Sequence, residues 1–212
     1  MRILVVSPDL YKQHSSFLTK MHRLRAAVFG TRLEWDVTIT AGEERDQYDR
    51  LRPTYLLAVT PAGSVAGCIR LLPASGPTML ERTFPQLLEN GSLPARAAVI
   101  ESSRFCVDTS LAAGREGGQL HLATLTMFAG IIEWSMVNGY TQLVTATDLR
   151  FERILKRAGW PMDRLGEPAV IGNTVAIAGS LPIDRASFEQ VCPPAYRSLV
   201  AEAEREPLRS AA

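Results

Sequence analysis

Glu101 and Arg104, three residues apart in the run IESSRFCVD from Ile100 to Asp108, are the pair in this chain best suited to chemistry. A carboxylate takes a proton from an ammonium group, directly or through a water, when it lies within hydrogen-bond reach, and Glu101 is the candidate base. The three histidines, His14, His22 and His121, sit in no motif that offers a competing base and are not spaced as metal ligands. Upstream, GEERDQYDRLRP from Gly42 to Pro53 carries Asp46 and Asp49, candidates for binding a cationic group. Arg25 and Arg70 are candidate partners for a ligand or for that acidic loop, and their planar bidentate contacts are ones lysine does not reproduce. Each of these residues also has an ordinary structural explanation. Glu101 would pair with an arginine at a sheet edge, Asp46 and Asp49 would pair with Arg45, Arg50 and Arg52 in a solvated loop, and the aromatics Phe29, Trp35 and Phe84 would be core.

The elements that must position these residues follow from hydrophobic patterning. Apolar runs predict strands at Arg2–Val6, Tyr55–Thr60, Val65–Leu72, Ala98–Cys106, Leu143–Thr147 and Thr174–Ser180. The turn Pro61-Ala62-Gly63-Ser64 joins the second and third as a hairpin. Helices are expected over Leu10–Phe29 with Gly30 as C-cap, in one or two short pieces within Thr78–Leu88, over Gln119–Asn138 ended by Gly139, over Leu149–Ala158, and over Arg185–Val191. Thr31–Pro53 lacks sustained periodicity and is dense in charge, so it is expected to be a long, mobile, functional loop within a mobile segment of about residues 10–53. Early hairpins followed by strand–helix–strand units argue for an α/β fold with a mixed sheet. On a regular strand Glu101, Ser103 and Phe105 share one face and Arg104 the other, so bringing Glu101 and Arg104 together requires a bulge.

The 212 residues fit one domain with a large core, residues 1–198, followed by a polar tail at 199–212. A net charge of +1 steers the chain to neither nucleic acid nor membrane. The longest apolar stretch, Leu122 to Ile132, is short of the ~20 residues of a membrane span and reads as a buried helix. Cys68, Cys106 and Cys192 are odd in number, form no CxxC motif and fit a reducing cytoplasm.

Arg25, Phe29, Trp35, Asp46, Asp49, Arg70, Glu101 and Arg104, in this order and type, resemble the signature of the LuxI-type acyl-homoserine-lactone synthases. The chain is similar in particular to the TraI-type members of rhizobial and Agrobacterium-like plasmids, from Met1 to roughly Ser198. That resemblance implies a single-domain, GNAT-like acyltransferase fold with a mixed central sheet flanked by helices. It implies a quorum-sensing signal synthase that moves an acyl chain from phosphopantetheine-linked acyl-carrier protein to the amine of S-adenosylmethionine. Lactonisation and release of methylthioadenosine would follow. S-adenosylmethionine is then a consumed substrate, with no further cofactor. By the same resemblance Glu101 and Arg104 are catalytic, and Arg25, Phe29, Trp35, Asp46, Asp49, Arg70 and Phe84 bind S-adenosylmethionine. The acyl chain would lie between the Glu101 strand and the Leu143–Thr147 strand, against Ser103, Phe105, Met127 and Thr145. Thr145 matches the position associated with a 3-oxo group, and the product is expected to be of medium length, such as 3-oxo-octanoyl.

The Leu149–Ala158 helix carries Arg150, Arg153, Lys156 and Arg157 within about a third of its circumference, opposite Phe151, Ile154, Leu155 and Ala158. Such a stripe suits an acidic carrier protein, although most charge stripes are solvated faces. Two other functions fit the same residues: a GNAT-type acyltransferase using acyl-CoA and another amine, and a non-catalytic member that binds carrier protein or nucleotide. Gly114-Arg115-Glu116-Gly117-Gly118 fits poorly the glycine spacing of a CoA pyrophosphate loop, which counts against the first.

Overall fold

Strand β4 (Thr54–Val59) shows how the core is built. Leu56 and Ala58 point into one apolar cluster with Ile3, Ile69, Leu71, Ile100 and Phe128. Tyr55, Leu57 and Val59 point into another with Met21, Leu24, Cys68 and Cys106. A strand buried on both faces has no polar side to show, hence the unbroken run YLLAV that follows the half-buried Thr54. The structure, a computed structural model, describes residues 1–93, 97–109 and 122–199. His121, the glycine-containing stretch Ala113–Gly118, the first residues of the helix expected from Gln119, and the C-terminal stretch from residue 200 lie outside the described residues.

The main sheet runs β1 (Arg2–Val6), β4, β5 (Val65–Pro73), β6 (Val99–Val107), β7 (Gln142–Asp148), β10 (Thr174–Pro182) and β8 (Asp163–Arg164), with β9 (Ala169–Ile171) also on β10. All described pairings are antiparallel except β6 with β7, so the sheet is mixed. Helix α1 (Ser15–Arg25) packs on one face. Helices α3 (Leu122–Val137), α4 (Leu149–Arg157) and α5 (Arg185–Val191) lie with the other core cluster. Helix α2 (Met79–Thr83) and a short 3-10 turn at Pro85–Leu87 occupy the segment where one or two short helices were expected. Among the described residues no helix is long and apolar enough to cross a membrane.

Two expectations need correction. Gly30 does not cap the first helix. Instead α1 widens at Ala26–Arg32 into a π-helical segment that contains Gly30. A Cβ on Gly30 would sit 2.5 Å from Ile39 Cδ1, so the glycine serves close packing rather than a left-handed cap. Thr31–Pro53 is not an unstructured loop. It contains the end of the π-helical segment, a small hairpin of β2 (Ile39–Thr40) and β3 (Glu43–Glu44), and a 3-10 helix at Gln47–Leu51. Charge takes the place of apolar periodicity here: buried ion pairs fasten the segment to the core, a pattern that hydrophobic spacing does not reveal.

Candidate active site

The site begins with a bulge in β6. Cys68 pairs with Cys106 and Arg70 with Ser103, so β6 places Phe105 and Arg104 opposite the single residue Ile69. Arg104 takes φ 56°, in the left-handed region where a side chain costs about 1–2 kcal/mol. The bulge puts Arg104 on the face of Glu101 and Ser103, as their joint use requires. It also turns Phe105 to the opposite face, against Phe128 and Phe151.

Around Arg104 lies a network of charges. Asp46 caps the 3-10 helix through the Tyr48 and Asp49 N–H groups, and the Asp49 carboxylate accepts the Asp46 N–H in return. Asp49 also accepts from both terminal nitrogens of Arg25, from Arg70 and from the Tyr55 hydroxyl at 2.6 Å. Burial works against the Asp49 carboxylate, but Arg25, Arg70 and Tyr55 outweigh it and hold the group well below the usual carboxylate range. Arg25 is fully buried and reaches Glu44 as well. Arg70, also fully buried, reaches Asp46 and donates to Ser103 Oγ at 3.0 Å. Arg104 Nε donates to Glu44 at 3.1 Å, and its NH2 lies 2.8 Å from Asp46 Oδ2. That last contact is an ion pair by distance without good hydrogen-bond angles. Of the alternatives for Arg25 and Arg70, the acidic loop is the partner found here.

Glu44 is the residue sequence reasoning missed. It is buried and joins Arg25 to Arg104, whereas its neighbour Glu43 is only partly buried. Two adjacent glutamates carry no signal of which one turns inward. Only the short strand β3, itself invisible to periodicity, would have told them apart.

Glu101 is buried and accepts the Met79 N–H at 2.9 Å and the Leu80 N–H at 2.6 Å. Burial raises its carboxyl above the ordinary value despite those two bonds and the nearby Arg70. It lines neither of the two cavities beside the network, but Met79, whose N–H it accepts, lines the larger.

The larger cavity, about 580 Å³, is walled by Trp35, Asp46, Tyr48, Met79, Phe84 and the turn between β9 and β10. The Trp35 indole lies flat on Phe29, with centroids 5.2 Å apart and planes 12° apart, and the Arg104 guanidinium sits 5.5 Å from the Phe29 centroid. Thus Trp35, Asp46 and Phe84 face this space. Phe29 stacks behind Trp35 and itself lines the smaller cavity, and Arg25, Asp49 and Arg70 line neither cavity, being bonded to one another and to Glu44, Asp46, Ser103 and Tyr55.

The smaller cavity, about 240 Å³, opens where β6 and β7 part. Their pairing runs only from Val99 with Gln142 to Ser102 with Thr145. Ser103, Phe105 and Thr145 line it, and so do Phe128 and Phe151. The buried residues Trp160, Ile131 and Leu181 form its inner wall. The Thr145 hydroxyl donates to Ser102 O at 2.9 Å. Met127 needs correction as a lining residue: it is fully buried and turned toward Gly67, one helical step away from the cavity, whereas Phe128 and Ile131 supply the helical wall. The two cavities share Trp35, Arg104, Ala146, Thr147 and Asp148, and so meet at the bulge arginine. Arg150 stands on the smaller cavity, and Arg150, Arg153, Lys156 and Arg157 are all exposed.

Residues 9–191 match the family described as autoinducer synthase. The acyl-homoserine-lactone synthase of Agrobacterium fabrum strain C58 is 74% identical over 199 residues, covering 94% of this chain and 94% of that protein. The structure of BjaI, a CoA-dependent acyl-homoserine lactone synthase with SAM and isopentyl-CoA, superposes with a TM-score of 0.80 at 25% identity, covering 93% of this chain and 92% of that one. An acyl-CoA N-acyltransferase from Pseudomonas aeruginosa, 11% identical, superposes with a TM-score of 0.54 over 85% of this chain and 99% of that one. This last likeness concerns the fold alone and gives the mixed sheet with flanking helices its GNAT-like character.

Proposed function

The chain belongs to the autoinducer synthase family of acyl-homoserine-lactone synthases, and on that premise we propose that it joins a medium-length 3-oxo-acyl chain from acyl-carrier protein to S-adenosylmethionine. The observation that carries this reading is the pair of cavities meeting at Arg104, one apolar and slot-like, the other walled by aromatics and an acidic loop. S-adenosylmethionine takes the larger space, with its purine against Trp35 and its cationic side toward Asp46. The acyl chain takes the smaller, with Thr145 beside its 3-oxo group.

In the first step the ammonium proton passes through a water to Glu101, because the carboxylate itself lines neither cavity. Burial favours the protonated form of Glu101 and so brings its basicity nearer to neutral pH. The neutral amine attacks the thioester carbonyl, the C–N bond forms, the C–S bond breaks, and the pantetheine thiol leaves with a proton. Arg104 offers guanidinium donors where the carbonyl oxygen gains charge. In the second step a carboxylate oxygen of the acylated substrate attacks its own γ-carbon. The C–O bond closes the lactone as the bond to the sulfonium breaks, and methylthioadenosine departs neutral. Positioning carries much of this step, since the sulfonium is already a good leaving group. S-adenosylmethionine is consumed, and no cofactor takes part. Arg25, Glu44, Asp49 and Arg70 serve as the scaffold that fixes Arg104 and Asp46.

The exposed cationic stripe of α4 favours an acidic carrier protein as donor. The acyl-CoA reading draws on BjaI, which is CoA-dependent. Purified protein supplied in parallel with 3-oxo-octanoyl-carrier protein and 3-oxo-octanoyl-CoA, with lactones identified by mass spectrometry, tests the two. Product from the CoA thioester alone would overturn the carrier-protein assignment, and no lactone from either would overturn the reaction.

A further inference from the structure

We propose that the turn between β9 and β10 is a latch on the larger cavity, and that Thr174, with Asn173, positions the Trp35 wall from across the fold. The inference rests on the assignment of that cavity to S-adenosylmethionine.

Trp35 Nε1 donates to Thr174 Oγ1 at 3.2 Å. The Asn173 amide donates to Leu33 O at 3.3 Å and to Glu34 O at 3.4 Å. These bonds span about 140 residues of sequence and are long, the Trp35 bond half-buried and the two Asn173 bonds exposed, so they close the rim without locking it. Thr174 Oγ1 also donates to Asn173 Oδ1 at 3.0 Å, which ties the two latch residues together. The turn and the Trp35 segment both line the larger cavity, and these bonds join them at its rim.

Backbone geometry gives the second line of argument. On the Trp35 side, Glu34 holds φ 54°, a left-handed conformation costly for a side chain. On the hairpin side, Gly172 holds φ 58°, with no atom near the place a Cβ would occupy. Each half of the latch therefore turns on a left-handed residue, and the strained one lies beside the aromatic wall. Opening would relieve Glu34 and break only weak bonds. With the latch closed, Trp35 lies stacked on Phe29 and lines the larger cavity. A ligand walled by that indole is held longer when Thr174 keeps it in place.

Thr174→Val removes the acceptor and keeps the shape, and Thr174→Ser restores it. Steady-state kinetics with both substrates, together with fluorine NMR of protein carrying 5-fluorotryptophan at Trp35, Trp134 and Trp160, decides the matter. The latch predicts that Thr174→Val raises KM for S-adenosylmethionine several-fold, raises KM for the acyl donor less because Trp35 also borders the smaller cavity, and shifts the Trp35 resonance alone. Thr174→Ser returns both readouts toward wild type. An unchanged Trp35 resonance with unchanged KM overturns the proposal. So does an equal rise in both KM values with a lower melting temperature, or a failure of serine to restore. If wild-type protein does not bind S-adenosylmethionine, the assignment of the cavity falls, while the Trp35 resonance still decides the latch.

Discussion

Glu101 accepts the Leu80 N–H at 2.6 Å, so the candidate base is also the tie between β6 and the first turn of α2. The two roles separate in Glu101→Gln. The amide keeps the shape but loses the basicity, and its single oxygen serves only one of the two N–H groups. Turnover should fall by ~10²–10⁴-fold while the circular dichroism spectrum stays native. In wild type, the acid limb of the kcat/KM profile should lie above the ordinary carboxylate range, because burial raises this group. A variant that turns over at the wild-type rate would leave Glu101 with its structural tie alone.

His22 supplies a stability test of the same buried region. Its Nδ1 lies 3.0 Å from Glu44 O, and burial, with Arg25 beside it, holds the imidazole down at about 4. The unfolded chain takes up that proton near pH ~6.5, so it binds more protons than the folded chain between the two values. Stability therefore falls as pH drops from about 6.5 toward 4, by on the order of 3 kcal/mol from this group. Glu101 slopes the other way, since a raised carboxyl favours the folded state at lower pH. The difference between wild type and His22→Gln isolates the histidine. Urea titrations at pH 4.5, 5.5 and 7.5 should show a steeper loss in wild type, and parallel curves would remove His22 from this account.

How much of this was legible beforehand depends on which signal each residue carried. The strands Tyr55–Thr60 and Val65–Leu72 and the helix Arg185–Val191 were plain because apolar periodicity and turn residues agree there. The need for a bulge between Glu101 and Arg104 was also legible, since a period of two sets their faces. Its place, at a left-handed Arg104, was not, because no glycine marks it. The hairpin at Ile39–Glu44 and the inward turn of Glu44 escaped because buried ion pairs, not apolar spacing, hold them. Strand β9 escaped for another reason: Ala169–Ile171 is three residues long, below the length at which alternation becomes a pattern.

The apolar slot gives a prediction about product length. Trp160 closes its inner wall, edge-on to Phe128 and held by a 2.8 Å bond from Nε1 to Pro182 O. Trp160→Leu should deepen the slot and lengthen the accepted chain by about two carbons, at a cost to stability of roughly 3 kcal/mol or less. Trp160→Phe should do less of both. Mass spectrometry of lactones from a host supplying mixed acyl-carrier proteins reads the change. An unchanged length distribution in folded Trp160→Leu would move the end of the slot elsewhere.

Lys156 and Arg157 test the docking of the donor. Both are exposed on α4, beside Arg150 and Arg153, while Leu155 and Ala158 on the opposite side are buried. Glu152, the acidic residue of this helix, is held by Arg164 at 2.8 and 2.9 Å and lies outside the stripe, so it does not neutralise it. Attraction between such a face and an acidic partner acts chiefly on encounter and weakens with salt. One exposed contact contributes less than ~1 kcal/mol, so a single substitution is expected to be nearly silent. Reversing both, Lys156→Glu with Arg157→Glu, adds repulsion and should raise KM for acyl-carrier protein at least several-fold. KM for S-adenosylmethionine should hold, because its cavity is lined from other elements. The double reversal should also flatten the rise of carrier KM with ionic strength. Equal changes for both substrates would point to a disturbed site, and no change would place the docking face elsewhere, with Lys20 and Arg23 on α1 the next to reverse.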